Sequence, residues 1–467
     1  MNKEKKLIKN SIIFAIGNIS TNIITFLMLP YYTFKLNKTQ YGEIELINSI
    51  IPLIIILISC NLAAGVFRFS LDKNYKIEQV FSVSLIYSLS MYILFFFLFF
   101  LTDLKIYLGN NYLIILIIIL FSIIQSIFKE LVRAVEKLNI FIISDFLHVV
   151  FFTGFNLYLI GSLELGVRGF FYSKIIALFA EIIFLFFYGR VDKYFTINFN
   201  FSYLKEMLIY GLPLIPNALM WWIGNLSDRY ILNYYIGLEA VGIYSISAKF
   251  PAIINTINGI FFKAWQISAI EEYGTEKQNE FYTKVFSIVF IFIIFLSSGF
   301  LMLIRITMLY MVNEKFYLAW KYIPFLLIAS IFNIFGVFVG VMYVASRKTI
   351  NAVKTMLISA TTNILLNFIL IPKYGIQGAC FATMISGIIF FITRVLDTQK
   401  YVKIKYNLND ILKNLIMVGI QIYFLLKIEN LGNSFLMQLL LFGILLGINK
   451  EYINLIINFI RNKGKIK

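Results

Sequence analysis

Seven ionisable residues within or at the ends of long apolar stretches of this sequence could do chemistry, because a charge there is costly and needs a reason. They are Asp145, His148, Lys174, Glu181, Asp228, Arg229 and Lys249. A charged side chain costs about 2.5–3.5 kcal/mol at the centre of a membrane-spanning helix, so it tends to face a cavity or a partner. On a helix, Asp145 can touch His148 three residues on, and Lys174 shares a face with Glu181.

The three cations in this set are candidates for binding a mobile anion. Lys249 is the strongest candidate, because no obvious partner lies near it in the sequence. Lys174 and Arg229 have a structural alternative, since Lys174 could pair with Glu181 and Arg229 with its neighbour Asp228. The sequence leaves both interpretations open.

Three of the other four residues, Asp145, His148 and Glu181, could carry a coupling proton. Histidine changes charge near neutral pH, and burial can bring a carboxylate toward the same range. The sequence does not decide whether the protein is coupled to a proton, to sodium or to neither ion.

Enzymatic signatures are missing from the sequence. It has no phosphate-binding loop ending in Gly-Lys-Ser/Thr and no His-Glu-x-x-His pair. Its two cysteines, Cys60 and Cys380, lie in apolar runs, and its one histidine has no zinc-ligand pattern around it. We therefore predict a protein that is not an enzyme and that has no catalytic residues, no metal site and no cofactor.

The composition indicates that these residues sit in a polytopic membrane protein. Hydrophobic residues make up 60% of the chain and the mean hydropathy is +0.84, against roughly 45–50% apolar residues in a soluble domain. The net charge of +17 comes from Lys and Arg in short segments between apolar runs. There they set topology and contact anionic lipid headgroups, so nucleic acid is not an expected partner.

Hydropathy predicts about fourteen transmembrane helices, each able to cross a hydrocarbon core about 30 Å thick. The predicted spans are 9–34, 44–66, 80–101, 111–128, 139–161, 169–189, 207–227, 241–262, 285–304, 322–344, 350–371, 376–393, 411–426 and 434–458. The distribution of Lys and Arg places both termini in the cytoplasm under the positive-inside rule. We expect a multi-pass protein of the bacterial inner membrane.

Two glycine motifs recur about 200 residues apart. LNKTQYGEI at 36–44 matches IGLEAVGIY at 236–244, and GVRGFFYS at 166–173 matches GIQGACFAT at 375–383. An even number of spans separates the copies, so the two halves share one orientation, as in parallel transporter repeats. We predict two pseudo-symmetric six-helix lobes, 1–200 with spans one to six and 201–400 with spans seven to twelve. Spans thirteen and fourteen and a basic tail fill 401–467.

Prolines inside spans mark predicted bending points. The candidates for hinges are Pro52, Pro213, Pro216 and Pro251. Because Pro213 and Pro216 lie one turn apart, span seven should be kinked or partly unwound where it lines a cavity. Trp221 and Trp222 follow this kink and could stack on sugar rings, although an interfacial aromatic belt explains them equally well.

Three blocks of the sequence resemble one family. They are LIKN at 7–10 with LPYY at 29–32 and YG at 41–42; GLPLIPNALMWW at 211–222 with SDRYIL at 227–232 and VGIYSISAKF at 241–250; and NILLNFILIPKYGIQGA at 363–379. Together they look like the bacterial polysaccharide biosynthesis flippases of the Wzx type, from residue 7 to about 400.

The resemblance implies membership of the multidrug/oligosaccharidyl-lipid/polysaccharide exporter superfamily, with a MATE-like fold and alternating access between two lobes. The implied substrate is an undecaprenyl-pyrophosphate-linked oligosaccharide. It would move to the outer leaflet for O-antigen, capsule or another surface polysaccharide. Implied partners are this lipid-linked oligosaccharide, membrane lipids, a polysaccharide polymerase and chain-length proteins. Spans thirteen and fourteen match the fourteen-helix members, whose extra pair forms a lipid-facing groove.

The sequence departs from the larger family at the first span. Cavity arginines there bind pyrophosphate in the family, whereas this span offers Asn18 and Asn22. The cationic role would then pass to Lys174, Arg229 or Lys249.

Two other functions stay open. A drug or cation antiporter of the multidrug branch would need an acidic cluster in its first lobe, where only Asp145 qualifies clearly. A membrane-embedded polymerase or glycosyltransferase would need a long outer loop, which the sequence lacks.

Overall fold

The computed structural model describes residues 24–102 and 111–452. Within these ranges the regular structure is helical and contains no strand. Thirteen of the described helices, some of them continuing through a turn of different pitch, are long and apolar enough to cross a membrane. They correspond to predicted spans two to fourteen, so the all-α polytopic class is confirmed. The predicted first span lies mostly outside the described residues.

The helices fall into two series along the chain. The first series is α1 (Leu29–Lys35), α2 (Lys38–Ser59), α3 (Leu62–Ser70), α4 (Ile77–Leu101), α5 (Tyr112–Ala134), α6 (Leu138–Asn156), α7 (Gly166–Gly189) and α8 (Phe201–Gly211). The second is α9 (Ile215–Tyr235), α10 (Leu238–Glu272), α11 (Gln278–Met311), α12 (Ile323–Ala345), α13 (Thr349–Tyr374), α14 (Ile376–Thr398), α15 (Leu408–Lys427) and α16 (Leu431–Ile448). A π-helical turn, Leu157–Ser162, ends the span that α6 begins.

The chain divides into two compact units, Met1–Leu226 and Ser227–Lys467, called unit 1 and unit 2 below. The division falls inside α9, after the residue 200 boundary that the repeat suggested, because α8 packs with α3 and α4 in unit 1. The three-part division at residues 200 and 400 stays a prediction.

The second glycine motif, which begins at Gly166 and again at Gly375, has the same structural role in each unit. The first glycine, Gly166 or Gly375, has a positive φ of 54° or 60°, which favours glycine because it has no Cβ. The second, Gly169 or Gly378, lies against the backbone of the preceding helical segment. This motif therefore encodes the same turn and close approach at the start of α7 and of α14.

The second span of unit 1 is broken at Cys60 and Asn61, between α2 and α3. Both residues adopt left-handed backbone angles, with φ of 46° and 57°. Such angles are strained for residues with a side chain and persist only when the surrounding packing fixes them. Pro52 lies inside α2, so the break in this span is not at the predicted proline.

A second break lies in span seven, where a 3₁₀ turn, Leu212–Leu214, separates α8 from α9. Pro213 lies in this turn and Pro216 in the first turn of α9, so the predicted distortion of span seven is present. The two breaks meet: a Cβ added to Gly211 would lie 2.5 Å from the Cys60 carbonyl oxygen. Gly211 is therefore needed for the two interrupted backbones to touch.

In unit 2, the C-terminal helices α15 and α16 are held against α11 by buried amides. Ser298 donates to Gln421 Oε1 at 2.7 Å, and Gln438 donates to the Gln421 carbonyl at 2.8 Å. Arg305 donates to the carbonyls of Ile428 and Glu429 at 2.6 Å each. Side-chain hydrogen bonds of this kind join helices within a membrane.

Candidate functional site

Unit 1 contains a buried group of charged side chains, called the acid–base cluster here. Its members are Gln125, Lys129, Asp145, His148 and Glu181. Glu181 is fully buried at the centre. His148 Nδ1 lies 2.9 Å from Glu181 Oε2, and Lys129 Nζ lies 3.7 Å from Glu181 Oε1. Gln125 Nε2 donates to Glu181 Oε2 at 3.0 Å, and Lys129 also pairs closely with Asp145.

Three packed helices position this cluster. Gln125 and Lys129 are four residues apart on α5, and Asp145 and His148 are three apart on α6, so each pair shares a face. Glu181 on α7 lies against both helices. The structure thus brings together the three residues predicted to carry a coupling proton.

Sequence reasoning missed Lys129 and Gln125. The predicted fourth span ended at residue 128, which placed Lys129 in a loop. In the structure α5 continues to Ala134, because the charged residues at its end are paired within the protein. The i, i+4 spacing of Gln125 and Lys129 was the only available signal.

Lys174 belongs to a different contact on α7. Its Nζ donates to Asn48 Oδ1 on α2 at 2.6 Å, and the Glu45 carboxylate acts on it electrostatically. The suggested ion pair with Glu181 is not formed, since that carboxylate lies in the acid–base cluster. Lys174 is a half-buried cation with a neutral hydrogen-bond partner.

Unit 2 contains a buried carboxylate surrounded by neutral donors, called the Asp228 cage here. Asp228 accepts hydrogen bonds from Tyr244 at 2.5 Å, from Thr383 at 2.9 Å and from Asn367. Asp228 is buried, as are Tyr244 and Asn367. Four helices, α9, α10, α13 and α14, supply the cage, so no helical periodicity in the sequence pointed to it.

Asn367 also donates to Asn363 Oδ1 at 3.0 Å, and two amide atoms of this asparagine pair have no hydrogen-bond partner. They are Asn367 Oδ1 and Asn363 Nδ2, both in fully buried side chains. Leaving a buried polar atom unsatisfied costs about 1–3 kcal/mol. Carboxylate, hydroxyl and amide oxygens are the ligands that hard cations prefer. The residue types of the cage are therefore suited to binding a cation or a proton. Among the described residues there is no cluster of three His, Cys, Asp or Glu that could hold a metal ion.

Arg229 and Lys249, the other two predicted anion-binding residues, lie in unit 2. Arg229 is buried, donates to Ser245 Oγ at 3.2 Å and lies 5.9 Å from the Tyr244 ring. Lys249 is half-buried in α10 and interacts with at least one neighbouring group. Their proposed contact with an anion stays a prediction.

The remaining candidates are the aromatic, asparagine and proline residues. Trp222 donates from its indole to the Ser49 carbonyl at 2.7 Å, whereas Trp221 is 55% exposed. Trp222 thus joins α9 to α2 within unit 1. Asn18 and Asn22 lie outside the described residues. Pro251 lies within α10, which continues for 35 residues.

Comparison with known proteins identifies the family of this chain. A model of the family described as polysaccharide biosynthesis protein matches residues 7–266, more than half of the chain. An uncharacterized membrane protein of Haemophilus influenzae is 36% identical over 63 residues, which cover 14% of this chain and 16% of that protein. The chain therefore matches only a small part of that relative's length.

Two solved structures show the fold. One is the lipid II flippase MurJ in an inward closed conformation, with a TM-score of 0.71 at 16% identity over 95% of this chain and 100% of that one. The other is a multidrug resistance MATE family transporter of the MOP superfamily, inward-facing. Its TM-score is 0.64 at 14% identity, over 83% of this chain and 98% of that one. At these identities the likeness establishes the fold.

The helices and the comparisons together define a multi-pass membrane protein with the MATE-like fold shared by these flippase and transporter structures. The predicted fold class is confirmed. The chain belongs to the polysaccharide biosynthesis protein family, as its sequence blocks indicated.

Proposed function

We propose that this protein is a flippase that moves undecaprenyl-pyrophosphate-linked oligosaccharide units from the cytoplasmic to the outer leaflet. The observation that carries this proposal is the extent of the flippase-like fold. The lipid II flippase structure covers 95% of this chain. The part of the chain that it leaves out is shorter than the segment formed by the C-terminal helices α15 and α16. The pair is therefore included at least in part, while the multidrug transporter matches 83% of the chain.

The charges described above support a route for an anionic headgroup. A pyrophosphate cannot enter hydrocarbon unpaired, because burying an isolated charge is very costly. Lys174, Arg229 and Lys249 offer positive charge within the spans for this headgroup. The polyprenyl tail would stay in lipid, for which α15 offers exposed apolar side chains such as Leu412 and Ile416. Alternating access of the two lobes, with bending at Pro52, Pro213, Pro216 and Pro251, would move the headgroup across.

The proposed setting follows from the same role. The protein would lie in the bacterial inner membrane with both termini in the cytoplasm. It would deliver its substrate to a polysaccharide polymerase and chain-length proteins for O-antigen, capsule or a related surface polymer.

A MATE-like drug or cation antiporter is the second candidate. The acid–base cluster favours it, because it places Asp145 and Glu181 together in unit 1, where such an antiporter needs acidic groups. The substrate separates the two candidates, since an antiporter would protect cells from toxic cations and a flippase would not.

The test is deletion of the gene followed by localisation of lipid-linked glycan. We expect glycan to accumulate on the cytoplasmic leaflet and to return to normal on complementation. Lys174→Ala, Arg229→Ala and Lys249→Ala should each complement poorly, while Lys354→Ala, at an exposed lysine of α13, should complement fully. Unchanged glycan distribution with increased drug sensitivity would favour the antiporter instead.

A further inference from the structure

We propose that Arg394 is the centre of an anion-binding site in unit 2, which takes one phosphate group from a lipid headgroup or from solution. The residue lies near the C-terminal ends of α12 and α14, on the side of the membrane that the topology prediction assigns to the cytoplasm. The site shares no residue with the acid–base cluster or the Asp228 cage, and it does not depend on what the protein transports.

Two glycines on one face of α12 make room for the guanidinium. Gly336 and Gly340 are four residues apart, and a Cβ added to Gly340 would overlap Arg394 Nη1. Nη1 donates to the Gly336 carbonyl at 3.0 Å, and Nε donates to Thr355 Oγ1 on α13 at 3.3 Å. The ring of Phe390, one turn earlier on α14, lies 4.1 Å from the guanidinium carbon. The side chain is therefore held in a defined position against α12.

The positive charge of Arg394 has no counter-ion at this position. Arg394 is 8% exposed, and the groups that it contacts among the described residues are all uncharged. Asp397 is the only acidic residue in the sequence from 323 to 398, which contains α12, α13 and α14. Its carboxylate pairs with Lys400 at 2.9 Å and accepts from Asn351 at 2.9 Å. Because burying an uncompensated charge is strongly unfavourable, an anion bound here would stabilise the protein.

Two hydrogen-bond donors at this position lack an acceptor. A guanidinium has five N–H groups in a fixed fork, and Arg394 Nη2 makes no hydrogen bond with a described residue. The ring of Tyr343 on α12 lies 5.8 Å from the guanidinium carbon, and its buried hydroxyl has no hydrogen-bond partner among the described residues. Asp397 lies near this hydroxyl but not in hydrogen-bonding geometry with it. Arginine binds phosphate oxygens through paired hydrogen bonds, so these donors fit a phosphate group.

The repeat supports the same conclusion. The turns after α5 and α12 each contain a residue with φ of 58°, Glu136 and Arg347. Seven residues before these positions the chain has Lys129 in unit 1 and Gly340 in unit 2. Lys129 lies between two carboxylates, whereas the space beside Gly340 holds the guanidinium of Arg394 with no carboxylate in contact. Unit 2 thus has a cation between these helices without the acids that balance it in unit 1, which leaves the anion to come from outside the protein.

The stability of the purified full-length protein measures binding, because a ligand that binds only the folded state raises the unfolding temperature. In one arm, inorganic phosphate is titrated in a nonionic detergent, with chloride adjusted to constant ionic strength. In the other, short-chain phosphatidylglycerol is titrated against a short-chain diacylglycerol that lacks the phosphate. We expect a saturable rise in at least one arm. A rise with phosphatidylglycerol alone assigns the site to a lipid headgroup, and a rise with inorganic phosphate assigns it to phosphate in general.

Variants of the two donors test the site itself. Arg394→Gln should weaken binding about tenfold or more, because charge-assisted hydrogen bonds are lost. Lys354→Gln, which removes one exposed cation from α13, is the matched control and should bind as the unsubstituted protein does. Tyr343→Phe should weaken binding about threefold or more. Without ligand its unfolding temperature should be unchanged or higher, since the hydroxyl has no partner to lose.

The outcomes that contradict the proposal are equally specific. A rise in neither arm overturns it, as does a rise that persists at full size in Arg394→Gln. A Tyr343→Phe protein that is less stable but binds phosphate normally would show that the two residues only pack. If Arg394→Gln fails to fold, Arg394→Lys keeps the charge without the fork and should still bind several-fold more weakly. Neither arm measures transport, so failure of the proposed function would leave these results unchanged.

Discussion

The sixth span of each half, α7 in unit 1 and α14 in unit 2, begins with the same glycine motif and then carries different chemistry. Lys174 and Glu181 lie eight and fifteen residues after Gly166. The same steps after Gly375 reach Thr383 and Phe390. Thr383 donates to Asp228 in the cage, while Phe390 packs against Gly336. The repeat has kept the backbone contacts and placed ionisable pairs in unit 1 and a single caged carboxylate in unit 2.

The second span of each half differs in continuity as well. In unit 1 it is α2 and α3 with a left-handed break at Cys60 and Asn61, and in unit 2 it is the unbroken α10. The start of the span is alike in position, at residues 38 and 238, with Asn37 capping α2 and Gly237 preceding α10. Unit 1 therefore contains both the interrupted second span and the acid–base cluster, whereas the second span of unit 2 is continuous.

The largest expected effect comes from alanine at the paired motif glycines. In unit 2 a Cβ on Gly378 would clash with the Leu370 carbonyl, whereas on Gly169 it would meet Leu159 and Ile160 at 3.1 Å. We expect Gly378→Ala to cost about 3 kcal/mol or more and Gly169→Ala about 1 kcal/mol. Thermal unfolding of the purified variants in detergent measures the difference. Equal losses of stability in the two variants would show that the π-helical turn Leu157–Ser162 does not leave more room for a Cβ at residue 169.

A somewhat smaller effect is expected in the Asp228 cage. Asp228→Ala leaves the donors of Tyr244, Thr383 and Asn367 without an acceptor, so we expect a loss of about 2–3 kcal/mol in stability. Asp228→Asn keeps one acceptor oxygen and should cost about 1 kcal/mol. Unfolding of both variants by guanidinium or heat tests this, and an Asp228→Ala protein as stable as the unsubstituted one would contradict the cage.

The third test compares repeat-related positions in transport. Lys174→Met removes a cation from the proposed headgroup route, and we expect about a tenfold loss of complementation, as for one charged hydrogen bond. Thr383→Val removes a hydroxyl of nearly the same volume and should lower stability by about 1 kcal/mol with transport largely kept. If Thr383→Val reduced transport as much as Lys174→Met, the functional difference between the units would be lost.

The smallest effect is expected where the units are alike. Trp222 in unit 1 and Trp265 in unit 2 each donate from the indole to a backbone carbonyl, of Ser49 at 2.7 Å and of Phe338 at 3.2 Å. Phenylalanine at either position should cost about 1 kcal/mol through the lost hydrogen bond. Matching shifts in unfolding temperature would show that the two units respond alike to a simple packing change.

Most of the helical framework could be predicted because a membrane span is a local property of about 20 residues. Thirteen predicted spans have counterparts in the structure, and the distortion at Pro213 could be predicted from the prolines themselves. The break at Cys60 and Asn61 was not, since neither residue favours it and the contact with Gly211 fixes it. Lys129 was misplaced for a similar reason, because its partner residues lie 16 and 52 positions away.

By itself, the sequence determined that the chain spans the membrane many times, repeats one half after the other and belongs with polysaccharide biosynthesis proteins. Hydrophobicity and glycine motifs act over a few turns, so they can be recognised without a fold. Which charges meet was decided only in three dimensions. Glu181 contacts His148 and Lys129 rather than Lys174. Asp228 accepts hydrogen bonds from neutral donors on α10, α13 and α14. A buried charge takes whichever partners the packing of neighbouring helices brings within hydrogen-bond distance, and that packing is not written in any one segment.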